Sequence, residues 1–354
     1  MKRCLSIGLR LVVALVGVWF IALSPWGVDW DDQVATLPDG SNQIRPGVVA
    51  MLRDANYLLL FGGLALTSLI IPFQTMRWLV LMRCRGLVVS FAKAIRLQLV
   101  GMFFNFCMPG LTGGDVVKAY YAAKGSGRRG AAIMSVVFDR LTGTIGLLFL
   151  AGCVGLLRLG DPLIRRLTMV IWIGFAVCWL VAIIYFSRTL RRLLGLEWVL
   201  SVLPAKGLLG RIDEAAVAYR DHKWSLVTAV VLSLPVHLAQ GIATALAGFA
   251  LGMSANLLMS LLTILPVLFF VGAVPITFLG FGTMEPLGVA LLKDDVHATT
   301  NQIVGMLILY RLFQIVYGLM GSLLLLRGEI HLFPENEGDL VVDNKESGTT
   351  NLGR

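Results

Sequence analysis

The chain has 354 residues, of which 57% are hydrophobic and only 14% charged, and its mean hydropathy is +0.81. Such values exclude a soluble globular domain and predict an all-α, polytopic membrane protein. The net charge of +9 does not point to nucleic acid, because the cations sit in short loops at the ends of apolar runs. The positive-inside rule and attraction to anionic lipid account for that placement.

The first apolar run, residues 5 to 24, follows Lys2 and Arg3 and contains Arg10. It has signal-peptide features, but an uncleaved first span is the commoner fate in a chain of this kind. The basic flank places the N-terminus inside, so the loop from 25 to 56, with Asp29, Asp31, Asp32, Asp39 and Asp54, is expected outside. A second span, 58 to 82, returns to Arg83, Arg85, Lys93 and Arg96. The apolar stretch 97 to 108 then leads to Lys118, Lys124, Arg128 and Arg129, so inside charge lies at both of its ends. A re-entrant hairpin satisfies that pattern.

Spans at 133 to 157 and 167 to 187 lead to an inside loop whose middle, 193 to 220, reads as interfacial helix. A span at 225 to 252 goes out, residues 257 to 292 enter and leave from outside, and 301 to 326 returns inside. The expected architecture is six full spans plus two re-entrant hairpins, one from each side, which is what an inverted repeat produces. Ordinary crossing segments are the alternative, since hydropathy does not separate the two. Residues 1–330 form the expected membrane domain, and the polar residues 331–354 a disordered cytoplasmic tail.

Each hairpin is interrupted by proline and glycine beside one carboxylate. Pro109-Gly110-Leu111-Thr112-Gly113-Gly114-Asp115 breaks the first, and Pro275 through Gly280, Phe281 and Gly282 to Glu285 breaks the second. Irregular backbone at membrane depth leaves amides that cost several kcal/mol each unless they are buried in protein or line a cavity. Thr112 and Asp115 have capping-box spacing, with Gly113 and Gly114 permitting a sharp turn, and Lys118 follows one turn later. A simple helix cap and a site for an anionic headgroup are both compatible with this spacing. Glu285 is read as a proton carrier, an ammonium ligand or a cap.

Asp139 and Arg140 lie within the third span and, as neighbours on a helix, need different partners. Asp139 fits structural pairing and substrate contact equally. Arg140 is the strongest candidate for holding phosphate, which guanidinium grips in two-pronged fashion. Arg311, deep in the last span with Gln314 one turn on, needs a partner such as Glu285 or Asp115. Arg77, Asn105, His237 and Gln240 read as single polar groups bonding to neighbouring helices, and Gly248 with Gly252 as a GxxxG packing motif. Cys4, Cys84, Cys107, Cys153 and Cys178 are scattered and read as buried free thiols. No phosphate-binding loop, HExxH motif or His/Cys cluster is present, so no cofactor and no metal are expected.

The segment Pro109 to Asp115 with Lys118, then Gly125, Ala131-Ala132, Ser135-Val136-Val137, Asp139-Arg140, and later Pro275, Gly280, Gly282 and Glu285, resembles the lysylphosphatidylglycerol synthase transmembrane region family across roughly residues 55 to 327. The resemblance implies an integral membrane protein of the bacterial or archaeal inner membrane that moves a polar-headed lipid between leaflets. Lys118 and Met284 stand where that family leads one to expect arginine. With only a short tail after the last span, the synthase activity of two-domain members is not carried over.

The expected function is a flippase for a phospholipid or a polyprenyl-phosphate-linked lipid, not an enzyme. Arg140 and Lys118 would hold phosphate, Asp115 and Glu285 a proton or an amine, and Gly113, Gly114, Gly282, Asp139 and Arg311 would complete the site. Its partners would be the lipid itself, anionic lipid at the cytoplasmic surface, and a lipid synthase or glycosyltransferase. An enzyme of lipid or glycolipid metabolism, or a scaffold for one, is the alternative.

Overall fold

The computed structural model describes residues 34–36, 42–44, 48–107, 113–124, 128–194, 213–214, 216–273 and 283–326. A ribbon of two three-residue strands, β1 (Val34–Thr36) and β2 (Asn42–Ile44), pairs antiparallel with Val34 opposite Ile44, and helix α1 (Val48–Arg53) follows. Among the described residues, all regular structure after it is helical. The first expected span, 5 to 24, the interfacial middle of the loop at 193 to 220 and the tail from 327 lie wholly or mostly outside the described residues.

Among the described residues, five helices are long and apolar enough to cross a bilayer. They are α2 (Tyr57–Arg83), α5 (Arg129–Leu156), α6 (Pro162–Phe186), α8 (Lys223–Ala250) and α11 (Thr300–Leu326). Their starts follow local chemistry. Asn56 accepts from the amides of Leu58 and Leu59 at the head of α2, and Asp161 from those of Leu163 and Ile164 at α6, where Pro162 supplies a preset first turn. Short α7 (Arg188–Leu193) begins on Ser187 in the same way. Buried hydroxyls satisfy themselves on their own helix: Thr67 on the Gly63 carbonyl, Thr75 on Ile71, Thr142 on Phe138 and Thr168 on Ile164. These hydroxyls are thereby satisfied without a partner on a neighbouring helix.

Between these spans lie two hairpins. The first joins α3 (Phe91–Cys107) and α4 (Gly113–Lys124), of 17 and 12 residues; the second joins α9 (Leu257–Ala273) and α10 (Met284–Leu292), of 17 and 9. At 1.5 Å per residue none reaches the roughly 30 Å of a hydrocarbon core. Their arms run antiparallel: Asn105 meets Gly114, Gln98 meets Lys118, and Ala94 and Leu97 share a cluster with Ala122. In the second hairpin Gly272 meets Met284 and Leu268 meets Gly288. Both therefore turn back to the face they entered from.

The packing pattern maps onto itself when α2, α3, α4 and α5 are exchanged for α8, α9, α10 and α11. Helices α2 and α8 pack together; α3 packs on α11 as α9 packs on α5; α4 packs on α5 as α10 packs on α11. The start of α2 meets the end of α8, where the Asn56 amide donates to the Ala250 carbonyl at 3.0 Å. The two halves thus run in opposite directions, as an inverted repeat requires. Helix α6 lies at the periphery, with 11% of its apolar window buried against 56% for α5 and α11, and turns Ile173, Val177 and Leu180 outward as a lipid-facing helix does. Gly248 packs against Leu257 and Met306, but Gly252 lies in the turn beyond α8, so the two do not form one helical GxxxG face. The described thiols, Cys84, Cys153 and Cys178, are free, though only partly buried.

Beyond the spans, Arg158 grips Asp295 with two hydrogen bonds, of 2.6 and 3.1 Å, and donates to Ser260 at 2.6 Å, tying α5 to the second hairpin. Burial pushes the Asp295 carboxyl up, but hydrogen bonds from Arg158 and Ser260 and the charge of Arg158 outweigh it and hold the group below the usual carboxylate range. A depressed folded pKa contributes stability that is present above the ordinary carboxylate value and lost as pH falls through the folded one. Arg158→Met is therefore expected to lower the unfolding temperature at neutral pH. In a pH series of thermal unfolding, its deficit against wild type should shrink on acidification through that lowered value.

Candidate functional site

The arms of both hairpins reach a central cavity of about 520 Å³. Asn105 and Gly114 of the first hairpin and Phe270 and Met284 of the second line it, with α2, α5, α8 and α11 supplying the remaining wall. The first hairpin closes tightly. A Cβ on Gly114 would fall on the Gly101 carbonyl, and the Gly114 amide donates to the Asn105 Oδ1 at 2.7 Å. The sequence reading of Gly113 and Gly114 as a sharp turn is sharpened here: α4 starts at Gly113, and Gly114 permits backbone-to-backbone contact between the arms. Gly114→Ala is expected to part them and displace Asp115, with a marked loss of folded protein by size-exclusion chromatography in detergent.

Asp115, in the first turn of α4, pairs with Arg140 of α5 and lies 3.3 Å from the Lys118 ammonium. Lys118 sits 3.7 Å from Asp139, donates to Gln98 at 3.2 Å and lies 5.3 Å from the centre of the Trp78 ring, a cation–π distance. Trp78 is fully buried and held by its indole N–H on Ser135. Asp139 accepts from the Arg77 Nε at 2.7 Å, and Arg77 also donates to Ser233 of α8 at 3.1 Å. Gly143 makes that possible, since a Cβ there would lie 2.7 Å from the guanidinium. Asp139 and Arg140 indeed turn to different partners.

On the other side Glu285, in the first turn of α10, pairs with Arg311 of α11. This pair is the repeat counterpart of Asp115–Arg140. In each, a carboxylate opening the second hairpin arm meets an arginine three turns into the following span. Their exposures differ: the Arg140 side chain is 47% exposed, that of Arg311 6%. Arg77 and Lys118 are buried like Arg311, so Arg140 is the accessible cation.

Gly282 and the segment from Pro109 to Thr112 lie outside the described residues, as do the cysteine at 4 and the side chain of Cys107. Asp115, Lys118, Asp139, Arg140 and Arg311 all line the cavity, with Gly114; Glu285 joins them through Arg311. Sequence reasoning set Arg77, Asn105, His237 and Gln240 aside as isolated polar groups, yet all four line it too. The His237 ring meets the Gly143 carbonyl at 2.9 Å; as a carbonyl only accepts, Nε2 carries the proton. Gln240 and Gln314 converge on the Tyr310 hydroxyl. The available signal was position: Arg77, His237 and Gln240 lie inside spans and Asn105 inside an apolar hairpin arm, where a polar side chain needs a partner or water.

Among the described residues, the four lining cations Arg77, Lys118, Arg140 and Arg311 stand against the lining carboxylates Asp115 and Asp139 and the Arg311-bound Glu285, leaving a formal surplus of one positive charge. Two inverted halves folding hairpins around a charged central cavity define an integral, multi-pass membrane protein. The sequence matches the family described as lysylphosphatidylglycerol synthase TM region over residues 7–321, and the chain belongs to it. No curated protein matches the chain. The family and the apolar helices make this a membrane protein related to lipid metabolism or transport.

Proposed function

We propose that the protein is a lipid flippase of the bacterial or archaeal cell membrane, moving a phospholipid or a polyprenyl-phosphate-linked lipid between leaflets without covalent chemistry. The observation that carries this reading is the pair of repeat-related ion pairs, one accessible from the cavity and one closed. In an inverted repeat, rocking of one half against the other exchanges the environments of equivalent elements. Opening Glu285–Arg311 while closing Asp115–Arg140 would present the same cavity to the opposite face. The lipid phosphate would meet Arg140 first, with the buried Lys118 and Arg77 supplying field from behind.

The termini are proposed to be cytoplasmic, by the basic residues Arg83, Arg85, Arg128 and Arg129 gathered at one face, which also suits anionic lipid. A lipid synthase or glycosyltransferase is the class of enzyme proposed to supply the substrate. The test is reconstitution into liposomes with headgroup-labelled lipids, followed by chemical quenching of the outer leaflet. The expected result is quenching beyond half of the label for at least one anionic lipid. Quenching that stops at half for every headgroup, with and without a pH gradient, would overturn the reading.

A further inference from the structure

We infer that the lipid taken by this cavity carries one anionic charge and an uncharged, hydroxyl-bearing headgroup, and that amine-bearing headgroups are disfavoured; this inference rests on the flippase reading above. The first argument is charge. Among the described residues, the carboxylates that line the cavity are already matched to cations, Asp139 to Arg77 and Lys118 and Asp115 to Arg140 and Lys118, and Glu285 is matched to the lining Arg311. An ammonium entering here would have to break one of those pairs or sit beside the surplus positive charge. A phosphodiester neutralises that surplus. A headgroup bearing a lysyl ester, with two ammonium groups against one phosphate, would be net positive inside a net positive site.

The second argument is the set of carboxamides that line the cavity. Gln314 uses one N–H on the Tyr310 hydroxyl at 2.6 Å, and its carbonyl has no partner among the described residues. Gln74 accepts from Gln98 at 2.7 Å through its oxygen, which leaves its amide N–H groups for the cavity. Asn105 likewise accepts from Gly114 through its oxygen and keeps its N–H groups. Uncharged donors and acceptors lining the same cavity as a cationic cluster match hydroxyls carried beside a phosphate, since a hydroxyl both donates and accepts. An aliphatic headgroup would leave these amides unpaired, a penalty that makes polar sites selective against analogues lacking the hydroxyl.

The experiment is equilibrium binding of short-chain lipids to the purified full chain in detergent. Dihexanoyl phosphatidylglycerol and phosphatidylinositol are compared with phosphatidic acid, phosphatidylethanolamine, lysyl-phosphatidylglycerol and an uncharged glucosyl diacylglycerol. The two anionic polyol lipids are expected to bind roughly tenfold more tightly than either amine-bearing lipid, and more tightly than the uncharged glycolipid. Gln314→Leu and Asn105→Leu are each expected to reduce the ratio of phosphatidylglycerol to phosphatidic acid affinity by roughly fivefold.

Equal or tighter binding of an amine-bearing lipid overturns the inference, as does an unchanged ratio in both variants. Glycerophosphoglycerol, the same headgroup without acyl chains, separates a lipid from a soluble phosphodiester; binding as tight as that of the lipid also overturns it. Selective binding without transport in liposomes would instead count against the flippase reading alone. Transport without headgroup preference would count against this inference alone.

Discussion

Arg311→Met is expected to cost about 3–5 kcal/mol of stability, and Arg140→Met no more than about 1 kcal/mol, although the two arginines occupy equivalent places in the repeat. The difference lies in what each removal leaves behind. Without Arg311, the Glu285 carboxylate, with a side chain 9% exposed, is left buried without the guanidinium that compensates it. Without Arg140, Asp115 still has Lys118 at 3.3 Å and reaches the cavity. Transport is expected to respond the other way, with Arg140→Met folding well and losing activity. Denaturant unfolding in micelles, run beside the liposome assay, checks both halves. The double variant Glu285→Gln, Arg311→Met should recover most of the lost stability, because replacing both partners of a buried pair is far milder than removing one. Equal losses for the two single arginine variants would show that the pairs are environmentally alike, and would remove the asymmetry on which alternating access rests.

That asymmetry could not be read from the sequence, although both pairs were within reach of it. Asp115 and Glu285 stood out because each followed proline and glycine in an apolar run, and Arg311 because a lone charge so deep in a span demands a partner. What picks Arg140 for Asp115, and Arg77 for Asp139 from 62 positions away, is the rotational phase of packed helices. Hydropathy carries no information on that phase. The spans themselves were legible within a few residues, since length and continuous apolarity fix them: 58 to 82 became Tyr57–Arg83, and 301 to 326 became Thr300–Leu326. The first hairpin was legible from charge at both ends of one apolar stretch, and the second from the need for the last span to return inside. The ribbon at Val34–Thr36 and Asn42–Ile44 was not, because three residues are too few to show an alternating pattern.

Gly143 illustrates a further kind of information that emerges only from packing. In the sequence it is one of several glycines in a span; in the fold it opens the space into which Arg77 reaches across from α2. The charge network therefore depends on small residues as much as on charged ones. Gln98 shows the same dependence, accepting from Lys118 while donating to Gln74, so that the ammonium is oriented by a carboxamide itself held in place. A lysine this buried, with Asp115, Asp139 and Gln98 around it, is better suited to holding the cavity's field than to following a moving substrate.

The second large effect is expected at Asp139, where two buried cations of the network meet. Asp139→Asn leaves Arg77 and Lys118 buried without the carboxylate between them, at a cost of about 3–5 kcal/mol. It also raises the formal surplus of the cavity from one positive charge to two. The variant should appear in membranes at a small fraction of the wild-type level. Adding Arg77→Gln removes one cation, leaving three cations against two carboxylates, so the original surplus of one returns. If the surplus governs both assembly and anionic lipid recognition, the double variant should regain membrane accumulation and lipid movement together, measured by quantitative fluorescence of a tagged protein and by the liposome assay. Recovery of accumulation without movement would assign Arg77 and Asp139 a geometric part in holding the substrate. Recovery of neither would mean that the hydrogen bond from Arg77 to Ser233, which glutamine need not reproduce, is what fastens α2 to α8 at the depth of the cavity.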